Sequence, residues 1–440
     1  MAERQSITKI VFSYYSNQRK LIKIYFIFTL PWVILCFRAF KSYWSGDDWP
    51  NSQAPYWILW RFGELNFGRV LEEALYWNRE WMEGQGRFYP LHFIESRFAF
   101  SYLRELSDYK LLASTVLFLS GISFVFLVFR LTKSHFIVLS TLLALAITVS
   151  FRRSFDPHLA FAFMVPGVVL KCNLSFILYH YALTDKRTIR RIIYLVFSIL
   201  FYSLALLTYE YGFLLFPVFI FILLTITKNS FGQHHEKNRN IETLKLLTYS
   251  FPILCVWLAY ACYVFLYLRP AAKAISGAYV LGISKHSVTT LIEQIVASIP
   301  LLSFKEGVDL DPNNFSRVAI TVFVTLLIAN HVVFQGQIFD ALRAKTNRIY
   351  ANSKTIQTIT QSNQYSKFLI ITIAIIYVIS APTMLSIQVQ WWTMSSLQNT
   401  YLGIYISELG FALLLGLLIA QVFRKNLTKN LNPTVQMRIK

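Results

Sequence analysis

The chain has 440 residues, 55% of them hydrophobic and 15% charged, with a formal net charge of +20. Soluble domains carry about 25% charged residues, whereas apolar runs of about 20 residues recur here along the whole length, each long enough for a hydrocarbon core of ~30 Å. The composition argues against a soluble globular protein, and with no compact basic domain to carry a nucleic-acid footprint, no nucleic acid is expected as partner.

The expected fold is all-α: a polytopic membrane protein with about ten transmembrane helices and short interfacial helices in its first outer loop. In chain order the spans are 21–40, 110–130, 135–151, 157–181, 190–208, 211–227, 246–268, 316–335, 367–387 and 401–423. The first is too long for a signal-peptide core and is read as retained. The fourth holds Pro166, Gly167 and Lys171, so a break or split is expected there. Long connections cover 41–109, 269–315 and 336–366. Cys36, Cys172, Cys255 and Cys262 all fall in apolar runs, and no disulfide is expected.

Charge orients the chain. With the N-terminus in the cytoplasm, 25 of the 42 Lys and Arg fall on that side, against 5 of the 22 acids. That face therefore carries the whole net charge, as the positive-inside rule demands. Both termini are expected in the cytoplasm, and the loop 41–109 outside.

Ten of the acids lie between Asp47 and Asp108. In this loop Trp57, Trp60, Leu65, Leu71, Leu75 and Trp81 recur at near-helical spacing, which predicts two short helices. They either lie in the interface as a connector or frame a cleft at the outer leaflet. At the loop's start stands "FKSYWSGDDWPNS", with Asp47 and Asp48 boxed by Trp44 and Trp49, which read as interfacial anchors. Asp48 precedes Trp49–Pro50 and is a natural helix cap. Adjacent side chains diverge by about 100° on a helix, so at most one of the pair points at a substrate.

Other charges sit where they are costly. Glu210 in "LLTYEYGFLLFP" lies at a tight outer turn between apolar runs, either as a functional group or as an exposed turn residue. Lys171 needs a carboxylate, a phosphate or a snorkelling path. "FRRSFDPHLAF" places Arg152, Arg153 and His158 at an outer end, against the positive-inside trend, where the arginines meet a lipid phosphate or ordinary headgroups. Arg87 follows two glycines in "EGQGRFYP", a turn that either lets the backbone approach a ligand or is simply a turn. Trp391 and Trp392, and the acids Glu306, Asp309 and Asp311, lie in later outer loops and read as belt and plain loop.

"SGDDW", a Trp-rich segment, "GQGRF" and "TYE" near an outer turn together resemble the GT-C glycosyltransferases, and within them the bacterial serotype-converting O-antigen glucosyltransferases. The likeness covers roughly residues 20–230, and nothing in the last three spans adds to it. It implies an inverting hexosyltransferase of the bacterial inner membrane with a periplasmic active site. The donor would be a polyprenyl-phosphate sugar and the acceptor a lipid-linked or surface glycan of the lipopolysaccharide type. A donor synthase and a flippase would work alongside. Asp48 or Asp47 would be the catalytic carboxylate, Arg87 would meet the donor phosphate, and Glu210 would help bind sugar or acceptor. Some GT-C enzymes use a divalent cation, and an Asp pair can hold one, but no further ligand cluster accompanies it and no cofactor is expected to be required.

The implied organisation is a basic cytoplasmic N-tail at 1–20, a catalytic membrane module at 21–230, further transmembrane helices at 231–423, and a basic cytoplasmic C-tail at 424–440. A transporter or flippase for lipid-linked saccharide is the rival class, but it predicts midplane charges and pseudo-symmetric halves. A polymerase of lipid-linked saccharides predicts its main polar residues in large later loops.

Overall fold

The computed structural model describes residues 2–44, 48–132, 134–149, 163–216, 236–272, 282–298 and 404–429. Among them every regular element is helical. Four helices among the described residues are long and apolar enough to cross a membrane: Leu21–Phe40, Leu106–Thr132, Thr188–Thr208 and Thr248–Ala271. That is the mark of a membrane protein.

The first of these is the end of α1 (Ala2–Phe40), so the expected basic tail is helical and continuous with the first span. Helix α6 (Leu106–Thr132) and helix α7 (His135–Thr148) follow the second and third expected spans. Helix α8 starts only at Pro166 and runs to Thr184. Proline lacks the N–H that the first helical turn leaves unpaired anyway and has its φ preset for a helix. Residues 150–162 lie outside the described part, and with them residues 157–162 of the expected fourth span. Helix α9 (Thr188–Thr208) ends where expected, and residues 211–216 start a new helix. Helix α10 (Glu236–Ala261) passes into a π-helical segment, Cys262–Leu268, and a last turn, α11 (Arg269–Ala271). Beyond them come α12 (Ser287–Ser298) and α13 (Ile404–Lys429). The expected spans 316–335 and 367–387 lie outside the described residues.

The bundle closes on small and polar residues, as helices do where lipid leaves little hydrophobic drive between them. Trp32 of α1 is fully buried; a Cβ at Gly121 of α6 would stand 2.5 Å from its Cζ2, so only glycine admits the ring. Its indole Nε1 donates to the Phe118 carbonyl at 3.3 Å. Ser175 and Ser198 each donate a hydroxyl to the other's carbonyl, at 2.8 and 2.9 Å, fastening α8 to α9. Asn173 Nδ2 donates to the Ser120 carbonyl and Ser123 Oγ of α6, and Ser120 bonds Tyr405 of α13 at 2.6 Å. The outward side of α9 is a stripe of exposed Ile189, Ile192, Ile193, Val196, Phe197 and Leu200, the surface expected against lipid. All four cysteines are free, with Cys36 and Cys172 buried.

The loop 41–109 forms three helices and a single turn rather than two helices: α2 (Asp48–Asn51), α3 (Ala54–Phe62), α4 (Phe67–Gln85) and α5 (Pro90–Tyr102). The reason is its punctuation. Pro55 and Pro90 open α3 and α5, and Gly63 (φ 73°) and Gly86 (φ 62°) close α3 and α4 in left-handed caps. Trp44 is not a free interfacial anchor. Its ring packs on Tyr109 (5.1 Å) and Phe100 (5.8 Å) in a small second core that ties the loop to α6, whereas Trp49 stays exposed.

Candidate functional site

Helix α9 breaks after Thr208. The next two residues leave its axis before residue 211 begins another helix, with Gly212 and Phe213 donating back to the Tyr209 and Glu210 carbonyls. The break turns three consecutive side chains onto two cations. Thr208 Oγ1 accepts from Lys171 Nζ at 2.9 Å. Tyr209 Oη accepts from Arg87 Nη2 at 2.9 Å. Glu210 takes the same guanidinium two-handed, from Nε at 3.1 Å and from Nη2 at 3.0 Å.

Arg87 reaches this point because α4 ends at Gly86. A Cβ there would lie 2.8 Å from the Arg269 Cα, so glycine lets the end of the π segment close on the turn. The guanidinium is buried at 7% exposure, with the rings of Tyr89 (5.1 Å), Tyr209 (5.3 Å) and Trp81 (5.9 Å) about it. π-Helical insertions recur at functional sites, and this one carries Arg269 to within electrostatic reach of Glu210. Burial pushes the Glu210 carboxyl upward, but Arg87, by charge and hydrogen bond, and Arg269 outweigh it and hold the carboxyl below its ordinary value.

Lys171 of α8 meets a second carboxylate. Its Nζ lies 2.7 Å from Glu95 Oε1 and 2.9 Å from Oε2, with both side chains largely covered. Burial raises the Glu95 carboxyl, opposed by Lys171. One turn back on α5 is His92, whose Nδ1 is buried with no hydrogen-bond partner among the described residues. Burial, and then Lys171, Arg97 and Arg87, push this imidazole down to about 3, so it stays neutral at physiological pH. Arg97, also on α5, donates to Asn51 Oδ1 at 3.1 Å and so joins α5 to α2.

Asp48 lies on another helix of the loop, α2. It is the first residue of α2 and 1% exposed; its carboxylate accepts from Tyr109 Oη at 2.8 Å and from Lys110 Nζ at 3.4 Å. The expected cap is thus a first-turn residue whose carboxylate fastens α2 to the start of α6. Of the expected site residues, the structure brings Arg87, Glu210 and Lys171 together. Asp47, Arg152, Arg153 and His158 lie outside the described residues.

Sequence reading passed over Glu95, His92, Thr208, Tyr209, Arg269 and Lys110. Glu95 and His92 had a signal, polar residues at i, i+3 in the mostly apolar "PLHFIESRFAF". Arg269 and Lys110 had a weaker one, each a cation at the edge of an apolar run. Among the described residues no group of three or more His, Cys, Asp or Glu gathers as a metal site. Compared with protein-family models, curated proteins and solved structures, the chain matches none.

Proposed function

We propose that the protein is a membrane glycosyltransferase that moves a hexose from a polyprenyl-phosphate donor to a lipid-linked or surface glycan, inverting the anomeric carbon. In this reading the transfer takes place on the periplasmic face of a bacterial inner membrane, and both termini are cytoplasmic. The observation that carries it is the pair of largely buried cations, Arg87 and Lys171, gripped by consecutive Thr208, Tyr209 and Glu210 at a helix break. By the charge count this is the outer end of α9, the depth at which a lipid phosphate lies.

The chemistry suits such a pair. A polyprenyl phosphate departs readily once its growing charge is stabilised, and cations fixed in a dry site do this strongly, because they need no reorganisation as the charge develops. A guanidinium offers its planar fork to phosphate oxygens as it does to Glu210. Glu210 then holds Arg87 in place and keeps its buried charge paired before donor arrives.

The test is transfer in proteoliposomes from a polyprenyl-phosphate hexose to a lipid-linked glycan acceptor. Arg87→Ala is expected to cut transfer by about 10²–10³-fold, the cost of one transition-state donor. Transfer by Arg87→Ala at the parental rate would refute the reading.

A further inference from the structure

A sugar hydroxyl attacks only if something takes its proton, and three carboxylates of this structure are candidates. Asp48 is 1% exposed, and both of its oxygens are engaged, one by the Tyr109 hydroxyl and one by the Lys110 ammonium, each itself 1% exposed. An acceptor would have to displace the packing of α2 on α6 to reach it. Glu210 is turned wholly to Arg87, which takes both of its oxygens. Glu95 is as exposed as Glu210, 25% against 24% for the side chain, but its partner is the Lys171 ammonium that Thr208 also holds, and not the guanidinium fork proposed to seat the phosphate. Thr208 in turn is joined through the backbone to Tyr209 and Glu210, which hold Arg87. Glu95 is therefore a partly exposed carboxylate beside the proposed phosphate seat, and its cation is not the one that binds the phosphate.

Resting on the proposed glycosyltransferase reading, we infer that Glu95 is the catalytic base for the acceptor hydroxyl, with Lys171 as its positioning residue. The acceptor O–H gives its proton to a Glu95 oxygen as the oxygen forms its bond to the anomeric carbon. The bond from that carbon to the phosphate oxygen breaks, and its electron pair leaves on the polyprenyl phosphate. The phosphodiester and Glu95 begin with one negative charge each; the released phosphate ends with two and Glu95 with none. Water then takes the proton from Glu95.

The environments of the two site carboxylates divide the roles. Burial raises Glu95, against the pull of Lys171, and so makes it a better proton acceptor than an ordinary carboxylate. Arg87, supported by Arg269, holds Glu210 low against the effect of burial, which suits a permanent counter-charge. Carboxylates whose environments push them apart mark separate functions in one site. His92, neutral and a turn away on the same helix, adds no charge beside Glu95.

The experiment measures transfer and donor binding on the same reconstituted protein, with quenching of tryptophan fluorescence by added polyprenyl phosphate as the binding readout. Glu95→Gln is expected to lower kcat by about 10²–10⁴-fold, the range for a lost general base, while polyprenyl phosphate binding stays within about threefold of the parent. The parent's rate should fall on the acid side with an apparent pKa above 4.5, the ordinary glutamate value, and Asp48→Asn should keep that limb. Glu95→Asp, with the carboxylate withdrawn by one methylene, is expected to lose about tenfold or more in kcat with binding kept, and it serves equally if the Gln variant does not fold. Glu95→Gln or Glu95→Asp transferring at the parental rate, or an acid limb abolished by Asp48→Asn, overturns the assignment. If Arg87→Ala is inactive in that case, the glycosyltransferase reading survives it. A parent that moves no sugar, or an Arg87→Ala variant that moves it normally, removes the reading and this assignment with it.

Discussion

Lys110→Met asks whether the loop 41–109 is held to the bundle by a buried charge pair. Lys110 and Asp48 are each 1% exposed, with Nζ 3.4 Å from Oδ2. Removing the ammonium takes a counter-charge from a buried carboxylate, to which Tyr109 Oη still donates at 2.8 Å. Breaking such a pair from one side costs about 3–5 kcal/mol, and the long contact places this one near the lower end. Tyr109→Phe removes a neutral donor from a charged acceptor, a cost of about 1.5–3 kcal/mol. The ring remains stacked on Phe100 at 4.4 Å, so packing is spared. Because all three groups share one network, Asp48→Asn with Lys110→Met should cost less than the two single changes added together, with a coupling of about 0.5–3 kcal/mol. The assay is unfolding by SDS in mixed micelles, followed by tryptophan fluorescence. A Lys110→Met variant within about 0.5 kcal/mol of the parent, the level of an ordinary surface change, would show that the pair is solvated and does not hold the loop.

Gly86→Ala should cost about 1–3 kcal/mol, because the residue sits at φ 62° and the new methyl would meet the Arg269 Cα at 2.8 Å; unfolding midpoints check this. Gly121→Leu should destabilise by at least about 1–3 kcal/mol through overpacking against the buried Trp32 ring, a loss that the smaller Trp32→Leu partner should partly recover in the double variant. Glu210 has a folded pKa below its ordinary 4.5, so its stabilising effect is full above that value and is lost as pH falls through it. Thermal midpoints of the parent should therefore drop on acidification below about pH 4.5, and Glu210→Gln, which carries no titrating group there, should show a shallower drop.

How much of this was legible in the sequence depended on the length of the signal. The apolar runs at 21–40, 110–130 and 190–208 are long, and each coincides with a helix able to span a membrane. The loop helices were under-counted because their starts and stops are single residues, Pro55, Gly63, Gly86 and Pro90, which an apolar stripe crosses without a mark. Arg87, Glu210 and Lys171 announced themselves as charges in costly places, and the fold joins them, although Arg87 and Glu210 are 123 positions apart. Their partners were harder to see. Glu95 was one of ten acids in a loop that reads as solvated, and it is the packing of α5 against α9, itself packed on α8, that sets it beside Lys171. Asp48 drew notice as half of an acid pair, but a sequence cannot show that Tyr109 and Lys110, side by side at the start of an apolar run, turn back onto it.

The position of the site follows from what a break in a helix allows. Inside an unbroken apolar helix, Lys171 would face hydrocarbon or a neighbour's side chain, and either is expensive without a counter-charge. Thr208, the last residue of α9, offers its hydroxyl oxygen to that ammonium, and the interruption after it turns a carboxylate to Arg87 two residues on. The turn at Gly86 delivers Arg87 from the opposite side, and it can do so because the π segment beneath it brings Arg269 backbone where a side chain would otherwise stand. Three irregularities in the backbone thus meet at one point: a helix break, a left-handed cap and a π insertion. Each costs local stability, and a bundle selected only for packing would have little reason to bring them together around paired charges. Their coincidence is the strongest structural argument that this end of the bundle is built to receive an anion.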